Sequence, residues 1–162
     1  MRPPDHQIAR AGVCLAGLLL LGAATAQEAN WEITPRLTLS ETWTDNATLG
    51  GAGEEQSDWV TAVAPGIEVI ADTARLKGLL DYEYQYLWYL DERDFSDGYH
   101  NLGASGTAEI IEQHFFLDGL AEYSQADIDP LGKVAQSNIY RTGNRTDYFL
   151  LGMEPYWQDR FG

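Results

Sequence analysis

Read with a period of two, the segment Ala74 to Leu90 separates into two unlike sets. Leu76, Gly78, Leu80, Tyr82, Tyr84, Tyr86, Trp88 and Leu90 take the even positions, and Arg75, Lys77, Leu79, Asp81, Glu83, Gln85, Leu87 and Tyr89 the odd ones. Side chains alternate across a β-strand, so a strand here presents one oily, aromatic face and one mostly charged face, each needing its own surroundings. A helix would mix the two sets. Trp31 to Thr44 repeats the pattern: every even position is polar, while the odd ones are Trp31, Ile33, Pro35, Leu37, Leu39, Glu41 and Trp43, apolar but for Glu41. Pro35 has no N–H to give a ladder, which places it near the strand's start or at a bulge.

Four more segments read as strands. Asp58 to Ala71 is strand-like, with blurred alternation and a Pro65-Gly66 break; Tyr99 to Ile111, His114 to Gln125 and Arg145 to Trp157 follow. No long amphipathic helix and no fixed-period repeat is visible. The connections alternate in length. Asn46 to Ser57, Asp91 to Gly98 and Ala126 to Asn144 are long and rich in Gly or acidic residues, whereas Asp72-Thr73 and Glu112-Gln113 are tight turns, and Gln158 to Gly162 reads as another turn. Long loops therefore gather at one end of a meander and short turns at the other, as in outer-membrane barrels, and a soluble meander has no need of that asymmetry.

The apolar face needs either a protein core or hydrocarbon. Trp31 and Trp43 share a face twelve residues apart, roughly 40 Å along a strand at about 3.3 Å per residue. Tilted by about 40°, that span becomes roughly 30 Å of height, close to the apolar band of about 25 Å between the aromatic girdles of a membrane barrel. Trp43, Trp59, Trp88, Tyr123 and Tyr148 fall near the long-loop end, and Trp31, Phe115 and Trp157 near the short-turn end, giving two aromatic belts. The expected fold is all-β, an antiparallel up-and-down outer-membrane β-barrel. Trp31, Trp43, Trp59, Tyr82, Tyr84, Tyr86, Trp88 and Trp157 are expected to face lipid, and Arg36, Arg75, Lys77, Asp81 and Glu83 the lumen. Six strands fall short of the eight of the smallest single-chain barrels, so a portion of a larger barrel is expected, or else several copies sharing one. The competing reading is a secreted soluble β-sandwich acting as a binding or adhesion module, with tryptophans capping its two ends.

The N-terminus favours export. Arg2 and Arg10 flank a weakly basic start, Ala11 to Gly22 is an apolar run too short to span a bilayer, and Ala24-Thr25-Ala26 fits a cleavage site, so residues 1–26 are expected to be a signal peptide and 27–162 the barrel domain. Cys14, the only cysteine, lies in that leader, which leaves the mature chain without a thiol or disulfide. Removing Arg2, Arg10 and Asp5 from the 10 basic and 25 acidic side chains leaves 8 against 24, a formal charge near −16. Nucleic acid is therefore an unsuitable partner.

Catalytic chemistry has little to stand on. His100 and His114 form no metal-binding helix pair, and Gly103-Ala104-Ser105-Gly106 misses a nucleophile elbow by one position. Ser105 and His100 lie an odd number of residues apart, on opposite faces of one strand. A barrel hydrolase is the reading these positions fail to support; the expectation is no enzyme, no cofactor and no metal site. The acidic loops, among them Glu54, Glu55, Asp91, Glu92, Asp94, Asp97, Asp127 and Asp129, read as a solvated surface, or as one that meets divalent cations at a lipopolysaccharide layer. Asn46-Ala47-Thr48 and Asn144-Arg145-Thr146 match the glycosylation sequon.

Several short motifs carry a family resemblance: Trp31-Glu32-Ile33-Thr34-Pro35, Glu41-Thr42-Trp43-Thr44-Asp45-Asn46, Pro65-Gly66-Ile67, Asp81-Tyr82 and Thr142-Gly143-Asn144-Arg145-Thr146. Spanning most of the mature chain, these residues resemble the outer-membrane β-barrel proteins associated with the exosortase (PEP-CTERM) system. The resemblance implies a Gram-negative outer-membrane protein, a pore or scaffold connected with exopolysaccharide export or assembly, whose partners are outer-membrane lipid, lipopolysaccharide, and exopolysaccharide or its export machinery. It supplies no catalytic residue, and because members of that family are longer it implies an N-terminal portion.

Overall fold

The structure, a computed structural model, describes Gly17–Leu18 and Trp31–Asp159. Apart from Gly17–Leu18, the expected signal peptide and its cleavage site lie outside the described residues, as does the last part of the final turn. Six long strands run β1 (Trp31–Thr44), β2 (Asp58–Asp72), β3 (Leu76–Tyr89), β4 (Asp97–Ile111), β5 (Phe115–Asp127) and β6 (Arg145–Trp157), with a single 3₁₀ turn at Arg93–Phe95. All pair antiparallel in sequence order within one sheet. Gly17–Leu18 adds a two-residue ladder against Leu39 and Thr38 of β1. β1 and β6 do not pair with each other, so the sheet is open, and no second sheet stacks on it among the described residues. The described strands therefore form a meander and not a two-sheet sandwich.

Loop lengths obey the expected alternation. The two tight turns are Thr73–Arg75 and Glu112–His114, and the three long connections lie at the opposite end. The Thr73 hydroxyl organises the first turn, accepting from the Leu76 N–H at 2.8 Å and the Arg75 N–H at 3.3 Å. In the second turn Gln113 adopts a positive φ of 60°, and its N–H is held by the Glu109 carboxylate.

Two local features differ from the sequence reading. Pro65-Gly66 does not break β2; the strand runs through it, and only the β2–β3 ladder lapses at Ala64 and Pro65 between the pairs Val63–Tyr86 and Gly66–Glu83. A proline without an N–H removes a rung and leaves the backbone extended. Pro35 lies within β1 opposite Ile67, with no bulge, and β1 is the outermost long strand, where a missing donor is tolerated. The one register shift falls between Glu109 and Ile111, just before a tight turn.

Glycines let β3, β4 and β5 approach along one row, Gly78–Gly106–Gly119. A Cβ on Gly106 would stand 2.7 Å from the Lys77 carbonyl oxygen and 3.0 Å from the Gly78 Cα, both backbone atoms, whereas one on Gly119 would meet nothing closer than 4.0 Å. Gly106→Ala is expected to destabilise by about 1–3 kcal/mol, as overpacking does, and Gly119→Ala to be neutral. The denaturation midpoints of the two variants check this; equal midpoints would contradict the close approach at Gly106.

Candidate functional site

Directly opposed residues in an antiparallel ladder point to the same side of the sheet, so the register sorts every strand position onto one of two faces. One face collects Trp31–Ala71, Ile33–Val69, Leu39–Val63 and Trp43–Trp59 from β1–β2, then Val69–Leu80 and Ile67–Tyr82. It continues through Tyr82–Leu102 and Leu80–Ala104 to Ala104–Ala121 and Leu117–Pro155, and ends at Tyr123–Phe149 and Phe115–Trp157. This face is apolar across all six long strands. Nothing among the described residues packs over it, and large side chains stand open on it, Trp88 at 52%, Phe149 at 60% and Met153 at 69% exposure.

Polar side chains interrupt the apolar face at three places: at Glu41 with Thr61, at His100, and at the long-loop end of β5–β6, where Gln125, Asp127, Arg145 and Asp147 gather. The Glu41 carboxylate accepts from the Thr61 hydroxyl at 2.7 Å. His100 Nδ1 lies 2.7 Å from the Tyr82 hydroxyl, with the ring of Tyr84 at 4.8 Å between centroids, so this histidine belongs to an aromatic patch. Gln125 donates to Asp147 at 3.2 Å at the long-loop end. Ser105 points to the other face from His100, so the two do not meet. His114 lies in the second tight turn, 3.6 Å from Asp159 and beside the Trp157 ring.

The sequence-predicted sets fall on opposite faces. Trp31, Trp43, Trp59, Tyr82, Tyr84, Tyr86, Trp88 and Trp157 all occupy the apolar face, and Arg36, Lys77, Asp81 and Glu83 the polar one. Arg75 lies in the first tight turn, 3.5 Å from Glu112 of the second. One expected belt member is misplaced: Tyr148 opposes Ser124 on the polar face and donates its hydroxyl to Glu122.

Arg36 ties three strands together on the polar face. It spans Gly66 of β2 to reach β3, donating to both oxygens of Asp81, with the Nη2–Oδ1 distance at 2.7 Å and Glu83 at 3.8 Å from Nε. Gly66 makes this possible, because a Cβ there would lie 2.8 Å from Arg36 Nε. Pro65-Gly66 and Asp81-Tyr82, two of the short motifs noted in the sequence, thus meet through one guanidinium. The side chains are about one-third exposed or more, so solvent screening keeps the pair's contribution to stability to roughly 1 kcal/mol or less.

The protein's small buried cluster lies on the polar face at the long-loop end, away from the apolar face. Val60, Ala62, Leu87 and Tyr89 pack there with Ala47, beside Phe95, Tyr99 and Ile139 from the loops and β4. The long connection Ile128–Asn144 folds onto this cluster. Tyr89 donates its hydroxyl to the Ile139 carbonyl, Asn138 donates to Gln85 at 2.9 Å, and the Arg141 N–H donates to the Ala47 carbonyl at 2.7 Å. Arg141 Nη1 reaches Asp97 and Tyr99, each at 3.0 Å. Burial works against the Arg141 charge, but its bonds to Asp97 and Tyr99 outweigh burial and hold its pKa above the ordinary arginine value.

Two residue roles were hidden in the sequence. Asp58 is 1% exposed, and its carboxylate accepts from the backbone N–H groups of Leu90, Asp91 and Glu92 at 2.9–3.1 Å, fixing the start of the β3–β4 connection. The only available signal was an acid opening a strand just after a Gly-rich loop. Asn46 and Asn144 act as clamps: Asn46 closes its loop on Gly50 through both amide atoms, and Asn144 does the same with Asp129. Both sequon nitrogens are thereby engaged with backbone carbonyls.

Among the described residues no group of three or more His, Cys, Asp or Glu is close enough together to hold a metal ion, and no helix is long and apolar enough to cross a membrane. No family model, curated protein or solved structure matches the chain.

Asp58→Ala would strip three buried backbone donors of a charged acceptor, each such bond being worth about 1.5–3 kcal/mol. The segment Leu90–Ser96 is expected to open, and tryptic cleavage after Arg93 to accelerate by at least about tenfold. An unchanged cleavage rate would show that Asp58 does not hold this connection.

Proposed function

We propose that this protein is a non-enzymatic β-barrel of the bacterial outer membrane, exported through a cleaved signal peptide and serving as a pore or scaffold. The observation that carries the reading is the uncovered apolar face. A single sheet with one broadly apolar side left uncovered has no stable place in water, since soluble domains bury such a face against a second layer. Hydrocarbon supplies the missing layer, and strands in which every backbone group pairs with a neighbour are one of the two ways a chain crosses it. Both sheet edges then need strand partners, from further strands or from other copies.

The polar face supports the same reading from the other side. Arg36, Asp81, Glu83, Thr107, Asp118 and Glu122 give it a charged and hydroxylated surface, with Leu79 and Leu120 among them, as the inner wall of a membrane barrel can have, and the long loops and tight turns separate to opposite ends. On the resemblance noted in the sequence, the barrel belongs with exopolysaccharide export or assembly and the exosortase sorting system, in contact with outer-membrane lipid and lipopolysaccharide.

Leu79 and Leu80 are neighbours of one residue type on opposite faces, which makes them a matched test. Leu80→Lys is expected to cost about 2–4 kcal/mol in membrane assembly if that position lies deep in the bilayer, and Leu79→Lys much less. Outer-membrane fractionation and heat-modifiable gel migration read the outcome. Equal tolerance of the two lysines would count against a lipid-facing side, and a wild-type protein soluble without detergent would sink the barrel altogether.

A further inference from the structure

The two charged signs are distributed unequally over the polar face. Its two basic side chains, Arg36 and Lys77, both lie in β1–β3 and both are occupied, Arg36 by Asp81 and Lys77 by Asp72 at 2.9 Å. On the polar face of β4–β6 the register places Asp97, Glu109, Asp118, Glu122 and Glu154, and no lysine or arginine; Asp97, at the long-loop end, is held by Arg141 from the β5–β6 connection at 3.0 Å. The hydrogen bonds of Asp118 and Glu122 leave the charge in place: Asp118 accepts from the Thr107 hydroxyl at 2.6 Å, and Glu122 from the Tyr148 hydroxyl. A neutral hydroxyl stabilises a carboxylate without cancelling it.

The half of the polar face whose strands carry no basic residue is also the half left open. The buried cluster with its covering loop occupies the polar face over β2 and β3, where Val60, Leu87 and Tyr89 are shut off from solvent. Over β4 and β5, by contrast, lies a cleft of about 430 Å³ whose lining includes Asp81, Asn101, Ser105, Glu122 and Ser124. Gly103 stands between Asp81 and Glu122 in the same cross-strand row, and its missing side chain leaves open space there. Oxygen ligands and an excess of negative charge therefore coincide on the accessible side, where Asp81 is held by Arg36 but Glu122 is bonded to a neutral hydroxyl.

Building on the pore reading above, we infer that the protein passes cations in preference to anions, along the polar face of β4–β6. A water-filled path beside low-dielectric walls concentrates counter-ions of the opposite sign, and rings or rows of carboxylates are the usual basis of cation preference in pores. Asp118 and Glu154 are directly opposed across β5–β6, and Glu122 lies about 13 Å further along at 3.3 Å per residue, so the carboxylates form successive stations along the strands, which favours passage from one to the next.

The test uses the protein extracted from outer membranes in detergent and inserted into planar bilayers across a KCl gradient. The reversal potential should lie on the potassium side. The combined variant Asp118→Asn, Glu122→Gln, Glu154→Gln should lower the potassium-to-chloride permeability ratio several-fold, and Ser124→Lys, which adds a cation without removing any acid, should lower it too. The control Glu54→Gln, Glu55→Gln, in the β1–β2 loop, should leave the ratio unchanged. Heat-modifiable migration identifies which variants have folded. A zero or chloride-side reversal potential would overturn the inference, as would a ratio unmoved by both the combined variant and Ser124→Lys. Protein that enters the bilayer and conducts nothing also overturns it while leaving the barrel standing; protein that never enters the bilayer defeats both readings.

Discussion

The whole arrangement depends on strand register. Because the side-chain period is two, a slip of one residue between any neighbouring pair would carry an entire apolar set to the wrong side. Here five successive ladders hold register, so that Trp31 on the first strand and Trp157 on the last share a face although they belong to opposite edges of the sheet. The tight turns at Thr73–Arg75 and Glu112–His114 fix two of those registers locally, through the Thr73 hydroxyl and the positive φ of Gln113. The others close over long connections and are secured by side chains that cross strands.

Arg36 and Asp58 illustrate how that securing works. Arg36 passes over a glycine to grip Asp81 two strands away, which fixes β1 against β3 on the polar side. Asp58 gathers three backbone donors from the far side of the next connection. Asp58, together with the bonds from Tyr89, Asn138 and Arg141, makes the long-loop end the most firmly packed part of the described chain. The apolar face contributes no comparable internal packing; its stabilisation must come from whatever covers it, at about 25 cal/mol per Å² of apolar surface removed from water.

Much of this was legible in the sequence, for a physical reason. Amphipathic strands announce themselves through alternation, and Trp31–Thr44 was read to its exact bounds, as was Arg145–Trp157. Reading failed where one residue served two demands. Alternation in β2 is blurred because Val60 and Ala62 are apolar on the polar face, where they pack under the loops with Leu87 and Tyr89. Pro65-Gly66 looked like a break because proline usually ends a ladder, yet here it removes rungs and gives Arg36 its passage. Tyr148 was assigned to the aromatic belt by its height along the strand, and only the register shows that it faces Glu122. The partners of Asp58 and of Ile128–Asn144 lie more than thirty residues away in several cases, beyond any local pattern.

On the outer-membrane reading, the even positions of β3 meet hydrocarbon and the odd ones water. With its single cysteine in the expected leader, the mature chain offers a clean background for single-cysteine labelling at each position from Leu76 to Tyr86 in intact outer membranes. A period-two result is expected: odd positions react with a water-soluble maleimide, and even positions react only with a lipid-soluble one. Uniform reactivity with the water-soluble reagent along the strand would contradict it.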